Sequence, residues 1–392
     1  MDKYSVSDSI KYVGVKDLDL DLFESQYPVP DGVTYNSYVI LDEKVAVMDT
    51  VDRRADRQWL SNIEEALGGR NVDYLVVSHM EPDHGANIAR FIQLHPEAVI
   101  VGNAKTFPMI KQFFDLDTEG RILTVKEGDM LVLGQHTLRF FMAPMVHWPE
   151  VMVSYEETEK ILFSADGFGT FGADSGLEEQ WTEEAARYYL NIVGKYGVQV
   201  QALLKKAAGM DIRMICPLHG PVLKENLEFY LEKYRVWSSY EAECHGVMIA
   251  CASIHGNTAQ AAQELAAMLK SRGETQVEVV DLARTDVSRA VRKAFAYDRV
   301  VAAAATYDGG VFPAMESFLE HLRSKNYQKR IVGLVENGSW APVAAKAMRT
   351  MFEGMKEIHV LEPAVTIRSA LNGDSRKAME ELADRLAEET GR

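Results

Sequence analysis

Cysteine is nearly absent: only Cys216, Cys244 and Cys251 occur in 392 residues, and no two stand at C-x-x-C spacing. That excludes a disulfide framework and a thiolate-held zinc or iron-sulfur site, so any metal must be bound by imidazole and carboxylate. Positive charge is also short, with 42 Lys and Arg against 58 Asp and Glu and a formal net charge of −16. Nucleic acid and anionic membranes reward clustered Lys and Arg, so neither is an expected partner, whereas proteins with basic patches are admissible. No apolar run reaches the length of a membrane span, and the start MDKYSVSDSI lacks the basic-then-apolar pattern of a secretion signal. A cytoplasmic location is the expectation. Internal repeats and low-complexity linkers are missing as well.

What is present is enough apolar material for more than one core, 47% of the chain, at a length for which two domains are the default. Short β-rich runs follow one another from about residue 35: TYNSYVIL, KVAVMDT, DYLVVSH, AVIVGN, TLRFFMAP, MVSYEE and KILFSAD. Helical patterns are fewer, after Asp52, after Gly85, from Thr182 to Ala208 and from Lys224 to Glu241. At Gly246 the rhythm changes to VMIACAS, a helix over 257–272, VEVVDL, RVVAAAAT and RIVGLVEN. These near-continuous apolar strands alternating with helices predict a parallel sheet covered on both faces. The expected domains are 1–244 and 245–392.

The strongest local signal is SHMEPDHG, residues 78–85, which closes the strand candidate DYLVV. Alternate residues of an extended segment point the same way, so His79 and Glu81 can serve one metal, while the turn at Pro82 redirects Asp83 and His84 toward a second. His147, Asp166 and His219 each also end a strand-like run. Loops at one sheet edge converge on a common crevice, so four separate strand ends can assemble one site. Seven donors, four imidazoles and three carboxylates, suit a two-metal centre with one bridging carboxylate. Any one of the three distant residues alone reads as an ordinary turn or capping residue; the set does not. His95, His136, His245 and His321 lack this context and are expected to be surface or satisfied histidines.

This constellation resembles the metal-binding pattern of the metallo-β-lactamase fold, with Glu81 where the usual motif has its second histidine. That exchange is similar to the flavodiiron branch, which binds iron rather than hydrolytic zinc. The resemblance implies that His79, Glu81 and His147 hold one iron, that Asp83, His84 and His219 hold the other, and that Asp166 bridges. The family counterpart of His84 can swing away from the metal. Tyr196 resembles a tyrosine beside the di-iron pocket and is read either as a proton or hydrogen-bond donor or as a helix-packing residue. Trp148 is expected to pack. Glu24 or Ser25 falls where many relatives place a histidine.

In the second half, Ser253, Ile254, His255, Gly256, Asn257 and Thr258 join the first strand to the first helix, and backbone N–H groups at a helix N-terminus there form a pocket for one phosphate. A Gly-x-Gly-x-x-Gly fingerprint is absent, which disfavours a dinucleotide. His255 either contacts the phosphate or faces solvent. Two later segments, Thr306, Tyr307, Asp308, Gly309 and Gly310, and Glu336, Asn337, Gly338, Ser339 and Trp340, resemble flavodoxin loops that enclose a flavin ring, with Tyr307 or Trp340 supplying an aromatic face. The fold class expected is therefore α/β: a metallo-β-lactamase-like αβ/βα sandwich followed by a flavodoxin-like doubly wound parallel sheet.

The resemblance implies flavin mononucleotide (FMN) and two non-haem irons as cofactors. It implies reduction of dioxygen to water, of nitric oxide to nitrous oxide, or both, with electrons relayed through the flavin. It also implies a head-to-tail homodimer that brings each flavin beside its partner's iron. The sequence ends in ALNGDSRKAMEELADRLAEETGR without a rubredoxin motif, so rubredoxin or another separate carrier, such as a deazaflavin donor, is the expected electron source. The alternative reading is a dinuclear zinc hydrolase with a regulatory flavodoxin domain, against which Glu81 speaks.

Overall fold

The computed structural model describes residues 3–173 and 179–388. The chain forms two compact units, one of residues 1–189 with 196–235 and one of residues 190–195 with 236–392. This differs from the division at 244/245 because residues 236–243 are fastened inside the second unit. There the Tyr240 hydroxyl donates to Gly194 O at 2.9 Å, Arg330 donates to Tyr240 O at 2.8 Å, and the Glu243 N–H donates to Ala296 O at 2.9 Å.

The first unit is a sandwich of two sheets. Strands Ile10–Tyr12, Tyr38–Leu41, Val45–Met48, Tyr74–Val76, Val99–Gly102 and Ile122–Thr124 lie side by side in chain order. Strands Met130–Val132, Thr137–Met142, Met152–Glu156, Ile161–Phe163 and Met214–Cys216 make the second sheet, again in chain order. Alternation decides which face is which: Ala46, Met48, Val76 and Val101 meet Leu138, Phe140, Ile161 and Phe163 in one buried core between the sheets. Residues of opposite phase in the first sheet, such as Val45 and Val47, are equally buried, which a purely one-faced sheet does not require. Helices Asp56–Leu67 and Ile88–Leu94 bury Trp59, Ile63, Phe91 and Ile92, and the Trp59 and Phe91 rings meet at 5.6 Å.

The second unit is a parallel sheet in which Cys244–Ala252 lies between Val277–Asp281 and Tyr297–Tyr307, followed by Arg330–Asn337, which pairs with both Ile358–Val360 and Val365–Ile367. Counted in order of appearance within this unit, that is the 2-1-3-4-5 arrangement of a doubly wound fold. Helices Asn257–Ser271 and Gly373–Glu388 pack Leu265, Leu269, Leu382 and Leu386 onto one face. Helices Val287–Ala296, Pro313–Ser324 and Ala344–Glu353 bury Phe295, Phe318 and Phe352. Among the described residues no helix is long and apolar enough to cross a membrane.

Two expected elements are broken up. The run TYNSYVIL splits into Val33–Tyr35 and Tyr38–Leu41, because the Asn36 N–H and side-chain amide donate to Leu218 O, Pro217 O and Gly220 O instead of to a sheet. The helical pattern from Thr182 to Ala208 is helix Glu179–Tyr188, a wider turn Tyr189–Val193, a tight turn Gly194–Tyr196 and helix Gly197–Ala207. The interruption coincides with the segment Leu190–Lys195 that belongs to the other unit.

Candidate metal and cofactor sites

Four strand ends of the sandwich deliver the seven candidate ligands to one place. His79 follows Tyr74–Val76, and the single helical turn Pro82–Gly85 then presents Asp83 and His84. His147 lies between Thr137–Met142 and Met152–Glu156, Asp166 follows Ile161–Phe163, and His219 follows Met214–Cys216. Backbone groups fix these loops: the Ser78 N–H donates to Asp49 Oδ1 at 2.6 Å and the Gly220 N–H to Thr34 Oγ1 at 2.6 Å. Non-glycine residues with left-handed backbone crowd the same loops, Asp49, Met145, Ala165 and Phe168, as expected where packing holds a site in a strained shape.

The side chains form two groups, His79, Glu81, His147 and Asp166 in one and Asp83, His84 and His219 in the other. Asp166 Oδ2 stands 3.2 Å from His79 Nε2 and 3.3 Å from His147 Nε2, while its Oδ1 faces His84 Nε2 and His219 Nε2, each at 3.7 Å. Glu81 Oε2 lies 3.2 Å from His79 Nε2 and 3.0 Å from His147 Nε2. Asp83 Oδ2 lies 3.4 Å from His84 Nε2 and 3.2 Å from His219 Nε2. Two donors bound at about 2.1 Å to one cation stand about 3.0–3.4 Å apart, which is the spacing of these contacts apart from those of Asp166 Oδ1, at 3.7 Å.

Hydrogen bonding alone does not account for this arrangement. Both oxygens of Asp166 are buried without a hydrogen-bond donor among the described residues, and such a carboxylate is costly unless a cation faces it. His84 Nε2 and His219 Nε2 point at each other across 3.0 Å, where two lone pairs repel unless a proton or a metal lies between. The charges tell the same story. Burial disfavours charge on His147, but Asp166 and Glu81 push its imidazole up to about 9. Burial likewise opposes ionisation of Glu81, but hydrogen bonds to His147 and His79 hold its carboxyl down at about 2. His84 goes the other way, lowered to about 4 chiefly by burial. The donor set thus suits divalent or trivalent cations, with Asp166 disposed to span two of them.

A cavity of about 240 Å³ opens over this cluster, walled by Leu22, Phe23, Glu24, Ser25, Tyr35, Glu81 and Asp83 among others. Glu24 and Ser25 thus line the same cavity as the candidate ligands Glu81 and Asp83. Two tyrosine rings lie against the candidate ligand His219, Tyr188 at 5.5 Å and Tyr35 at 6.2 Å, whereas Tyr196 is half-buried at the start of helix Gly197–Ala207. Phe23 meets His219 edge-on at 5.3 Å, and Trp148 meets His79 in the same manner at 5.3 Å. Sequence reasoning missed Tyr188, Phe23 and also Glu150, whose carboxylate lies 2.8 Å from His79 Nδ1. Glu150 carried a signal, since it shares the HWPE stretch with His147; the two aromatics carried none. The histidines set aside lie elsewhere: His136 is 3.1 Å from Glu156, His245 pairs with Asp298, His321 Nδ1 with Ser317 O, and His95 lies tilted against the Phe91 ring.

In the second unit a pocket of about 620 Å³ opens at the C-terminal ends of the strands, beside the point where the order reverses, which is where ligands bind in such sheets. Its lining includes Ser253, Ile254, His255, Asn257, Thr258, Thr306, Tyr307, Asp308, Gly309, Asn337, Gly338, Ser339 and Trp340, all expected, and Ser369, which was not. Gly256 adopts φ +95 at the N-terminus of helix Asn257–Ser271, a conformation that lets the amides of this turn face an anion. Gly310 belongs to the short strand Gly310–Val311. Glu336 does not line the pocket; its carboxylate accepts from Ala345 N–H and Thr366 hydroxyl and so ties the loop down. Trp340 is 88% and Tyr307 44% exposed at the rim, apolar rings held open to solvent where a planar ligand can cover them.

Residues 33–220 match the family described as ODP family beta lactamase, and residues 248–369 match a flavodoxin domain. The chain is 27% identical over 388 residues to an uncharacterised protein of Methanocaldococcus jannaschii, covering 98% of both. It is 26% identical over 346 residues to the anaerobic nitric oxide reductase flavorubredoxin of Vibrio vulnificus, covering 86% of this chain and 70% of that protein. Some relatives are longer: the chain spans 50% of a diflavin flavoprotein of Synechocystis, at 30% identity over 292 residues. The solved structure of rubredoxin oxygen:oxidoreductase from Desulfovibrio gigas superposes with a TM-score of 0.91 at 24% identity, covering 97% of both chains, and this likeness speaks for the fold. A β-lactamase-type domain whose candidate ligands are all imidazole and carboxylate, joined to a flavodoxin domain behind it, has one home among these relatives: the chain belongs to the flavodiiron protein family.

Proposed function

We propose that the protein is a flavodiiron reductase that converts dioxygen to water, nitric oxide to nitrous oxide, or both. The observation that carries this reading is Asp166, whose two oxygens each face a separate group of donors. When bound, two irons would supply open positions and reducing equivalents for a small diatomic molecule, and FMN would deliver electrons singly or in pairs. His79, Glu81 and His147 would hold one iron and Asp83, His84 and His219 the other.

The chain's own groups define the rest. Leu22, Phe23 and Tyr35 line the cavity above Glu81 and Asp83 together with the polar Glu24, Ser25 and Asp52, and its volume of about 240 Å³ admits a small diatomic. The Gly256 turn and helix N-terminus would cradle one phosphate, with Tyr307 and Trp340 flanking a ring. Rubredoxin or another separate protein would donate electrons, a head-to-tail homodimer would bring flavin and iron together, and the cytoplasm would be the working compartment. The test is metal and flavin analysis of the purified protein, followed by anaerobic reduction and parallel uptake assays with each gas. Rapid uptake of either one supports the reading and names the substrate. Bound zinc with no uptake of either overturns it in favour of hydrolysis.

A further inference from the structure

The two groups of donors are backed by different partners. At the first, His79 Nδ1 lies 2.8 Å from Glu150 Oε1, and the same oxygen accepts the Met80 N–H at 2.8 Å. Glu150 is 1% exposed, and the Asn103 amide donates to its backbone carbonyl. Its other oxygen, Oε2, is buried with no hydrogen-bond partner among the described residues. A carboxylate so deeply placed needs hydrogen-bond donors, and His79 Nδ1–H and Met80 N–H are the two that reach it. At the second group, His219 Nδ1 lies 2.6 Å from a neutral acceptor, the Thr34 carbonyl. His84 Nδ1 is buried and has no hydrogen-bond partner among the described residues.

This difference matters to a bound cation. A hydrogen bond from Nδ1–H to a carboxylate fixes the tautomer with Nε2 free, orients the ring and raises the electron density that Nε2 offers a metal. A carbonyl does the same more weakly, and an unpartnered ring not at all. Each group has one further carboxylate against two imidazoles, Glu81 in the first and Asp83 in the second, but the first faces Asp166 Oδ2 at 3.2 and 3.3 Å whereas the second meets Oδ1 only at 3.7 Å.

We infer that Glu150 is a positioning residue that makes the His79, Glu81 and His147 position the tighter of the two cation sites, so that the centre fills in order and sheds the metal at Asp83, His84 and His219 first. This rests on the dinuclear reading above. Glu150 also fastens the backbone at Met80, and a merely structural role is separated by Glu150→Gln. The amide oxygen of glutamine can still accept from Met80 N–H and His79 Nδ1–H in the same volume, but without the charge.

The experiment uses full-length protein stripped of metal with its flavin in place, titrated anaerobically with cobalt(II) and followed by the cobalt absorption bands. The unaltered protein should bind two equivalents in two steps. Glu150→Gln should weaken the tighter step about 10–100-fold and leave the looser step and the flavin spectrum unchanged. As an independent check, at one equivalent of cobalt(II) Asp83→Ala should bind as fully as the unaltered protein and Glu81→Ala should not. An unchanged isotherm for Glu150→Gln, equal weakening of both steps, or full binding by Glu81→Ala with loss in Asp83→Ala would each overturn the inference. Failure of the unaltered protein to bind two cations would overturn the dinuclear reading itself, and this inference with it.

Discussion

Single residues carry the cation chemistry, and their effects are separable. Removing Glu81 or His147 takes away one donor and leaves Asp166 Oδ2 facing an incomplete group. Glu81→Ala and His147→Ala are therefore expected to lower bound iron while preserving flavin absorbance, because the flavin pocket is built from other residues. Loss of both cofactors together in either variant would contradict the assignment. At the other site, Trp340→Ala should weaken FMN binding by about 1 kcal/mol, the order of an aromatic stacking contact, as measured by fluorescence on titrating flavin into deflavinated protein. The gathering of the seven candidate donors was legible in the sequence because His79, His147, Asp166 and His219 each follow an apolar run and Glu81, Asp83 and His84 crowd directly after the first of them. Tyr188 and Phe23 were not legible: they reach His219 from helix Glu179–Tyr188 and from the strand Leu22–Phe23, which pairs with Tyr27–Pro28, and nothing local marks an aromatic that packs on a distant imidazole.

Elements place these residues, and glycine at one loop shows how tightly. Gly220 follows His219 with φ +84, and a Cβ there would meet Thr170 Cγ2 at 2.2 Å. Gly220→Ala should cost about 1–3 kcal/mol through backbone strain and overpacking and should lower iron content by displacing His219, read from urea midpoints and metal analysis. The flavin loop contrasts with it, since a Cβ on Gly256 meets nothing within 4 Å and only the left-handed backbone resists substitution. At this scale the parallel strands of the second unit were plain from their unbroken apolar runs. The interruption of the Thr182 to Ala208 helix was not, because YLNIV contains no Gly or Pro to mark the wider turn at Tyr189–Val193.

At the scale of the whole molecule, each unit has its own buried core and its own candidate cofactor site. A ligand that binds only the folded form stabilises it by about 4 kcal/mol at a thousandfold excess over its Kd. Chelation of metal should accordingly lower one calorimetric transition and removal of flavin the other; a common shift of both would argue that they unfold as one. The order of two domains was readable from the change of rhythm at Gly246, whereas the excursion of residues 190–195 was not. The backbone enters the second unit at Leu190, leaves it at Tyr196 and returns at Val236. Leu190 and Val193, 1% and 0% exposed, are buried on that excursion, and Asn191 donates to Ser288 O. A gene cut after codon 235 would thus express the half that carries the candidate metal site with an orphaned, largely apolar loop. Such a fragment should precipitate where the full chain stays in solution, and polar replacements at Leu190 and Val193 should recover it: the halves are spliced, and no single cut frees one from the other.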